Sequence, residues 1–457
     1  MKRCKSRNGL ILRLKNLAII DRLKSRTLKG KVYLVGGAVR DLALGKIPND
    51  FDLVLTDAED LEKVEEIFER KAIVLGKKPL HIHRICTDYT IDITIADKDI
   101  EDDLKRRDLT INAMGYDVFD EILLDPLGGF EDLISKIIRF SDEVALISDP
   151  LRMLKGIRHY ATLKGFSINS LSREMISRNR KMIRHVAGER IKYELDLILR
   201  SDMAYEGLKL MEETGLLFDI FPEFIPLRDF DKQYNLRLKV LNHTLYGLKF
   251  LKPLKRITGL DETEMLNVAY ALLFHDLGKP VTFSLDEKKG IVHFFGHEKI
   301  SQEMARKIME RLRFSNSEIK TILTLVKSHM WIFLLSKESP TDKATRRLIL
   351  RMGDLTPSLV LLTLCDMFGT TEGRRNETTR RIMAYAKLIM ENYRELKKEP
   401  PPKLVDGYDL LSLGYEEGPY LGKVLKEIRE KQISMEIKSR DEALEYAKKC
   451  LIKLKSG

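Results

Sequence analysis

Cysteine is scarce in this chain. Among 457 residues only Cys4, Cys86, Cys365 and Cys450 occur, far apart and with no C-x-x-C pair. That excludes a disulfide framework and a zinc–thiolate site, and it suits a reducing compartment. No uninterrupted apolar run reaches the length of a membrane span. The basic N-terminus makes a poor secretory signal, because Arg13, Lys15 and Asn16 interrupt Leu10 to Ile20. Internal repeats and low-complexity segments are also missing. These absences predict a cytoplasmic protein with no membrane partner. The length leaves room for two to four domains, each with its own core. What the chain has in surplus is positive charge, 80 Lys+Arg against 69 Asp+Glu for a net +11, distributed along the whole sequence. A surplus of that kind favours a polyanionic partner.

The most informative stretch runs from Val32 to Leu55. Val32-Tyr33-Leu34-Val35 is an apolar, β-branched run that reads as a buried strand. Gly36-Gly37 stops it, and Ala38 to Leu44 has the composition of a short helix. Glycines at such a turn permit close backbone approach, which suits a phosphate. Gly45 and Pro48 break the chain again, and Phe51 to Leu55 reads as a second strand. Alternation puts Asp50 and Asp52 on one face and Phe51, Leu53 and Leu55 on the other. At about 3.3 Å per residue the two carboxylates are roughly 6–7 Å apart at Cα, within reach of one pair of divalent ions spaced about 3.5–4 Å.

The order Gly36-Gly37-Ala38-Val39-Arg40-Asp41 followed by Asp50-Phe51-Asp52 resembles the signature of class II tRNA nucleotidyltransferases and bacterial poly(A) polymerases. The resemblance implies a head domain in which Asp50 and Asp52 are catalytic and hold Mg²⁺, while Gly36, Gly37 and Arg40 cradle a triphosphate. Arg106-Arg107-Asp108-Leu109-Thr110-Ile111-Asn112-Ala113-Met114 is similar to the family's second motif. There Arg107, Asp108 and Asn112 would place the sugar and phosphates, with Asp108 and Asn112 four residues apart on one helical face. Asp149-x-x-Arg152 matches the pair that serves the family as a protein template for C and A, with Asp149 as a helix N-cap and Pro150 at the first helical position. Without the resemblance, the same residues read as a capped helix with an intrahelical ion pair. Arg158 is expected to join the nucleotide site. Two departures stand out: Ser148 replaces the usual Glu before Asp149, and Lys155 occupies a position where the family tends to have Arg. Gly188-Glu189-Arg190-Ile191-x-x-Glu194-Leu195 is similar to a helical segment of the family's neck.

Elsewhere, residues 9–30 read as an amphipathic basic helix, and 57–71 has helical spacing through Leu61, Val64, Ile67 and Phe68. Residues 81–85 and 89–95 read as antiparallel strands, with Asp92 either a third carboxylate or a solvent-facing residue. Ile137 to Phe140 reads as the last strand of the head. Beyond residue 240 the histidines gather: five of the nine lie between 243 and 329. The ordered set His243, His275-Asp276, His297, His329, Asp366 resembles the HD superfamily, which implies a divalent metal such as Mn²⁺, Ni²⁺ or Mg²⁺ at a phosphohydrolase site. After Pro400-Pro401-Pro402, a hinge, come helices ending in a basic amphipathic one over 442–454.

The expected fold is therefore α+β: a head over 1–140 with a small mixed sheet and helices, then all-α regions, a neck over 141–240, an HD domain over 241–370 and a tRNA-binding tail over 371–457. The expected partners are a tRNA acceptor arm, CTP and ATP. Two other functions fit parts of the pattern, a poly(A) polymerase tailing RNA 3′ ends and an HD phosphohydrolase with an RNA-binding head. In CCA-adding relatives a long mobile loop precedes the Arg-Arg-Asp motif. Here only Ala96-Asp97-Lys98-Asp99-Ile100 intervenes before Glu101, which is the pattern expected of a CC-only enzyme.

Overall fold

A computed structural model describes residues 3–75, 81–96, 99–234, 239–288, 291–337, 340–398 and 402–455. The chain divides into two compact units, Met1–Ile220 and Phe221–Gly457.

The first unit is built on a seven-stranded mixed sheet of β1 (Val32–Val35), β2 (Asp50–Leu55), β3 (Ile73–Leu75), β4 (Ile82–Cys86), β5 (Thr90–Ile95), β6 (Gly115–Asp117) and β7 (Leu123–Leu124), in the order β3-β4-β5-β2-β1-β6-β7. Only β2 and β5 run parallel among these pairs. Every residue of β1 is buried, as expected of a strand flanked on both sides. Before the sheet, the basic N-terminal segment is two helices, Arg7–Lys15 and Ala18–Lys24, rather than one. Asn16 ends the first by turning its amide back onto the Leu12 carbonyl at 2.9 Å, and Leu17 is extended. The break lets Leu10, Leu14, Ile19, Ile20 and Leu23 all bury, which one straight helix does not allow.

Ile137–Ile138 does not close the head sheet. It pairs in parallel with Ser167–Ile168, because Lys136, at φ +58, redirects the chain after the helix Gly129–Ser135. Two further helices then matter for function, Arg152–Thr162 and Gly188–Leu199. Gly156 lets the first lie directly on Phe140, since a Cβ there would fall 2.5 Å from the ring.

Among the described residues, the second unit is helical apart from a hairpin, Ser284–Asp286 with Ile291–His293. Its central helices, Glu262–Phe274 and Thr356–Thr370, are buried almost all round. Asp261 starts the former with a reciprocal cap, accepting from the Glu264 amide at 2.8 Å while Glu264 accepts from its own. The segment Asp342–Thr370 is long and apolar enough for a membrane span by length and composition, but 72% of its most apolar window is buried in the protein, as in a core helix. The last helices, Gly407–Ser412, Pro419–Ile433 and Arg440–Lys455, share a core of Val405, Leu410, Tyr415, Val424, Ile428, Ile437, Ala443 and Ala447. Of the expected hinge, Pro400 and Pro401 lie outside the described residues.

Candidate active sites

In the first unit the register assembles a site across the sheet. Arg84 opposes Asp92, Asp92 opposes Asp52, Asp52 opposes Val35, and Val35 opposes Gly115. Directly opposed residues share a face, so Asp52 and Asp92 are neighbours, with Asp50 two residues along β2. Arg84 grips Asp92 through two hydrogen bonds of 2.7 Å. The same face of the sheet carries a buried apolar cluster of Tyr33, Val35, Val54, Ile100 and Leu104. Burial, with Asp92 and Asp50 adding repulsion, raises the Asp52 pKa above the usual carboxylate value against the pull of Arg107 and Arg40. A carboxylate held this way gains from a cation delivered to it.

Gly36 sits at φ +75, and a Cβ there would lie 2.7 Å from Arg107 Nη1 and 2.9 Å from Asp52 Oδ2. Only glycine fits between the two. Arg40 donates to Asn112 Oδ1 at 2.6 Å and to Asp41 at 3.0 Å. The Asn112 amide in turn donates to Asp108 at 3.0 Å. Asp108 and Asn112 thus meet, though not on one helix: the helix Ile100–Lys105 ends before Asp108, and Asn112 closes a short 3₁₀ turn. Asp103 accepts from Arg106 and from Arg107, the latter at 3.2 Å. Sequence reasoning passed over Asp103, although its place four residues before Arg107 is the spacing that lets helical side chains meet.

Asp149 does not start a helix. It terminates Glu143–Ser148 in extended geometry, and the next helix begins at Arg152. Pro150 disfavours helical dihedrals at Asp149 and so ends the preceding helix there, and Pro150 and Leu151 form a turn before the next one. Asp149 pairs with Arg190 at 3.1 Å, and Arg152 donates to the Arg106 carbonyl at 2.8 Å, so the intrahelical ion pair does not form. Arg152 thereby reaches the same segment as Arg107. Ser148 donates to Ala145 and does not support Arg152. Arg158, expected at the nucleotide site, is tied to buried Glu194 at 2.8 Å and lies against His159, clamping its helix to Gly188–Leu199.

In the second unit, His243, His275, Asp276, His297, His329 and Asp366 converge, all inside the protein. Asp276 Oδ2 faces His243 Nε2 at 2.9 Å, His275 Nε2 at 3.0 Å and Lys279 Nζ at 2.6 Å. Its Oδ1 faces His297 at 3.4 Å and His329 at 4.0 Å. Asp366 lies 3.4 Å from His275 and 3.7 Å from His243. The Nδ1 atoms of His275, His297 and His329 are 2.7, 2.8 and 2.7 Å from the carbonyls of Leu272, Phe294 and Val326. Donating there fixes the tautomer that presents Nε2 inward, the usual outer support of a metal-binding histidine. His275 Nε2 and Asp276 Oδ1 are buried without a hydrogen-bond partner, a cost that a bound cation removes. The donors fall into two groups sharing Asp276, one with His243, His275 and Asp366 and one with His297 and His329. They fit a divalent ion of the imidazole- and carboxylate-binding kind. Burial works against a charge on His275, yet Asp276 and Asp366 push its pKa up to about 10. Burial, and then the His275 charge, bring His329 down to about 3.

Fold and sites together are those of a nucleotidyltransferase joined to an HD domain. Residues 32–139 match the poly(A) polymerase head domain, 165–227 the RNA and SrmB-binding site of polymerase A, and 240–368 the HD domain. The chain is 33% identical to the CC-adding tRNA nucleotidyltransferase of Thermus thermophilus, over 90% of this chain and 92% of the relative. It is 30% identical to the A-adding tRNA nucleotidyltransferase of Deinococcus radiodurans, over 91% and 94%. Its fold is similar to that of the Thermotoga maritima CCA-adding enzyme complexed with tRNA, with a TM-score of 0.63 at 20% identity over 98% of this chain and 97% of that one. The chain belongs to the tRNA nucleotidyltransferase family, and it is a template-independent RNA nucleotidyltransferase of the CCA-adding type.

Proposed function

We propose that the head adds the two cytidines of a tRNA 3′ end and is weak at the terminal adenosine. In this reaction the tRNA 3′-hydroxyl attacks the α-phosphorus of CTP and pyrophosphate leaves. Asp50 and Asp52 would hold Mg²⁺, which supplies charge stabilisation at the attacking and leaving oxygens. Arg40 and Arg107 bind the triphosphate, Asp108 and Asn112 orient the ribose, and Asp149 and Arg152 present an acceptor and donors to the base. The surplus of Lys and Arg holds the tRNA acceptor arm by its phosphates. The observation that carries the CC restriction is the short link between β5, ending at Ile95, and the helix starting at Ile100; Asp97 and Lys98 within it lie outside the described residues. Four residues leave no room for a lever that re-aims Arg152 from C to A, and Ser148 supplies no substitute. The test is single-nucleotide addition to tRNA transcripts ending before, within and after CCA, with each NTP offered separately. CMP incorporation should exceed AMP incorporation onto a CC end by at least about tenfold. Equal rates would overturn the restriction and leave full CCA synthesis, and runs of AMP on unrelated RNA ends would indicate tailing.

The helical centre supports a second activity, hydrolysis of phosphate esters such as 2′,3′-cyclic or 3′-terminal phosphates on RNA. The observation favouring it is that Asp276 faces His243 and His275 through Oδ2 and His297 and His329 through Oδ1, a donor set that would hold a divalent cation able to polarise a phosphate oxygen. Replacing His275→Ala together with Asp276→Ala should remove hydrolysis and copurifying metal while nucleotide addition stays within about twofold. Failure of Mn²⁺, Ni²⁺ and Mg²⁺ alike to support turnover, with no metal copurifying, would reduce the domain to a scaffold.

A further inference from the structure

Triphosphate, ribose and base each have their residues in the head, and Arg84 and Asp92 are not among them. Arg84 on β4, Asp92 on β5 and Asp52 on β2 are directly opposed in register, so the three side chains stand in a row on one face of the sheet. Neighbouring strands lie about 4.8 Å apart, whereas Asp50, two residues along β2, is roughly 6–7 Å from Asp52 at Cα. By backbone position Asp92 is therefore the third carboxylate of the cluster, closer to Asp52 than Asp50 is.

The three carboxylates are not equivalent. Arg84 Nε donates to Asp92 Oδ1 and Nη2 donates to Oδ2, both at 2.7 Å. Each oxygen is thus taken by one arm of a planar fork, the strong form of an arginine–carboxylate pair. The pair is partly sheltered, with Arg84 41% and Asp92 22% exposed at the side chain. Asp50 and Asp52, in contrast, make no side-chain hydrogen bond or ion pair among the described residues. A divalent ion reaching this face meets two free carboxylates and one that is already neutralised. One or two carboxylates suit Mg²⁺ whose remaining ligands are substrate phosphates and water, and each further charged ligand tightens a site that holds its ion unaided.

We infer that Arg84 is a positioning residue that withholds Asp92 from the metal site, so that the head binds its ions weakly until the nucleotide's phosphates complete the ligand set. This rests on the reading of Asp50 and Asp52 as the Mg²⁺ ligands. Ions held this way come with the nucleotide and leave with pyrophosphate, which suits repeated addition at one site.

The test is Mn²⁺ binding to the full chain without nucleotide, followed by electron paramagnetic resonance of the free ion. The component lost in Asp52→Asn belongs to the head, which separates it from any ion at the helical centre. Arg84→Met releases Asp92 and should lower the Kd of the head component by at least about tenfold. The double variant Arg84→Met with Asp92→Asn removes the pair without changing the charge of the cluster, and its Kd should return to within about threefold of wild type. The Mg²⁺ concentration for half-maximal CMP addition should fall in the single variant and not in the double. Damage to the fold weakens binding and does not tighten it, so the sign of the change separates the lock from a structural role. An Arg84→Met Kd no tighter than wild type overturns the proposal. So does a double variant that binds tenfold more weakly than wild type, since Asp92 is then an ordinary ligand that leaves Arg84 for the ion. If Asp52→Asn removes no component, the metal reading of Asp50 and Asp52 has failed and the lock falls with it; if it removes one that Arg84→Met does not tighten, only the role of Arg84 has failed.

Discussion

The two centres solve the problem of concentrated negative charge in different ways. In the head, Asp50, Asp52 and Asp92 come from adjacent strands, and Asp50 is exposed. Asp92 has its own partner in Arg84, whereas Asp52 is buried beside an apolar cluster with its pKa raised. In the helical centre, Asp276 and Asp366 are enclosed by His243, His275, His297, His329 and Lys279. Both carboxyls are held below the usual carboxylate range by His275, against the effect of burial. The head centre would therefore gain from cations held at Asp50 and Asp52. The helical centre carries its own counter-charges, so it is already assembled before a ligand comes. An open site suits a polymerising enzyme that must admit and release an RNA end at each addition.

The sharpest way to break this contrast is to remove one carboxylate from each centre. Asp52→Ala should lower nucleotide addition by at least about a thousandfold, the several kcal/mol expected of charge stabilisation at the reacting phosphate. Affinity for tRNA should stay within about twofold, because it comes from dispersed Lys and Arg. Near-normal incorporation by this variant would displace the active site from β2.

Stability should respond in the opposite sense. A carboxyl whose folded-state pKa is raised opposes folding in its ionised form, so Asp52→Asn should leave the unfolding free energy at pH 7 unchanged or higher. Asp276 is depressed instead: its stabilisation is present above the unfolded-state pKa and is lost as pH falls through the folded-state value. Asp276→Asn strands His275 and Lys279 as buried cations and should cost about 3–5 kcal/mol in chelator-treated protein. Urea unfolding of the two variants checks both. Equal changes would mean that the two centres do not differ in internal compensation.

Much of both sites was legible because their residues are close in sequence or carried by strong local patterns. Gly36, Asp50 and Asp52 lie within one strand–turn–helix–strand unit, and alternation along β2 needs no knowledge of the rest of the fold. The HD set was legible as a resemblance, since no spacing rule brings His243 to Asp366. What could not be read was pairing. Arg84 meets Asp92 only once the register of β4 and β5 is known, and Arg190 meets Asp149 only once two helices are packed. Local rules also misled at boundaries. Asp149 has the composition of an N-cap, but the turn through Pro150 and Leu151 sets it three residues before the helix that starts at Arg152. The segment Ile137–Ile138 has strand composition, and Lys136 at positive φ sent it to a different partner.

The smallest effect expected concerns that Arg190–Asp149 pair. Arg190 is half-exposed and Asp149 a quarter exposed, so as an ion pair it is worth no more than about 1 kcal/mol. Arg190→Met should leave thermal stability nearly unchanged. Its second role is geometric. Asp149 follows a helix end, with only a weak bond to the Leu151 amide at 3.4 Å, and Arg190 Nη2, 3.1 and 3.4 Å from its two oxygens, sets the direction of its carboxylate. Losing that contact should lower kcat/KM for CTP by about three- to tenfold and raise misincorporation of UMP, because on the proposed reading Asp149 would accept from an exocyclic amino group. Lys in place of Arg supplies a charge from a different position, so Arg190→Lys should recover little of the discrimination. If both variants add CMP with wild-type selectivity, Asp149 is aimed by its backbone alone, and the neck helix contributes nothing to base choice.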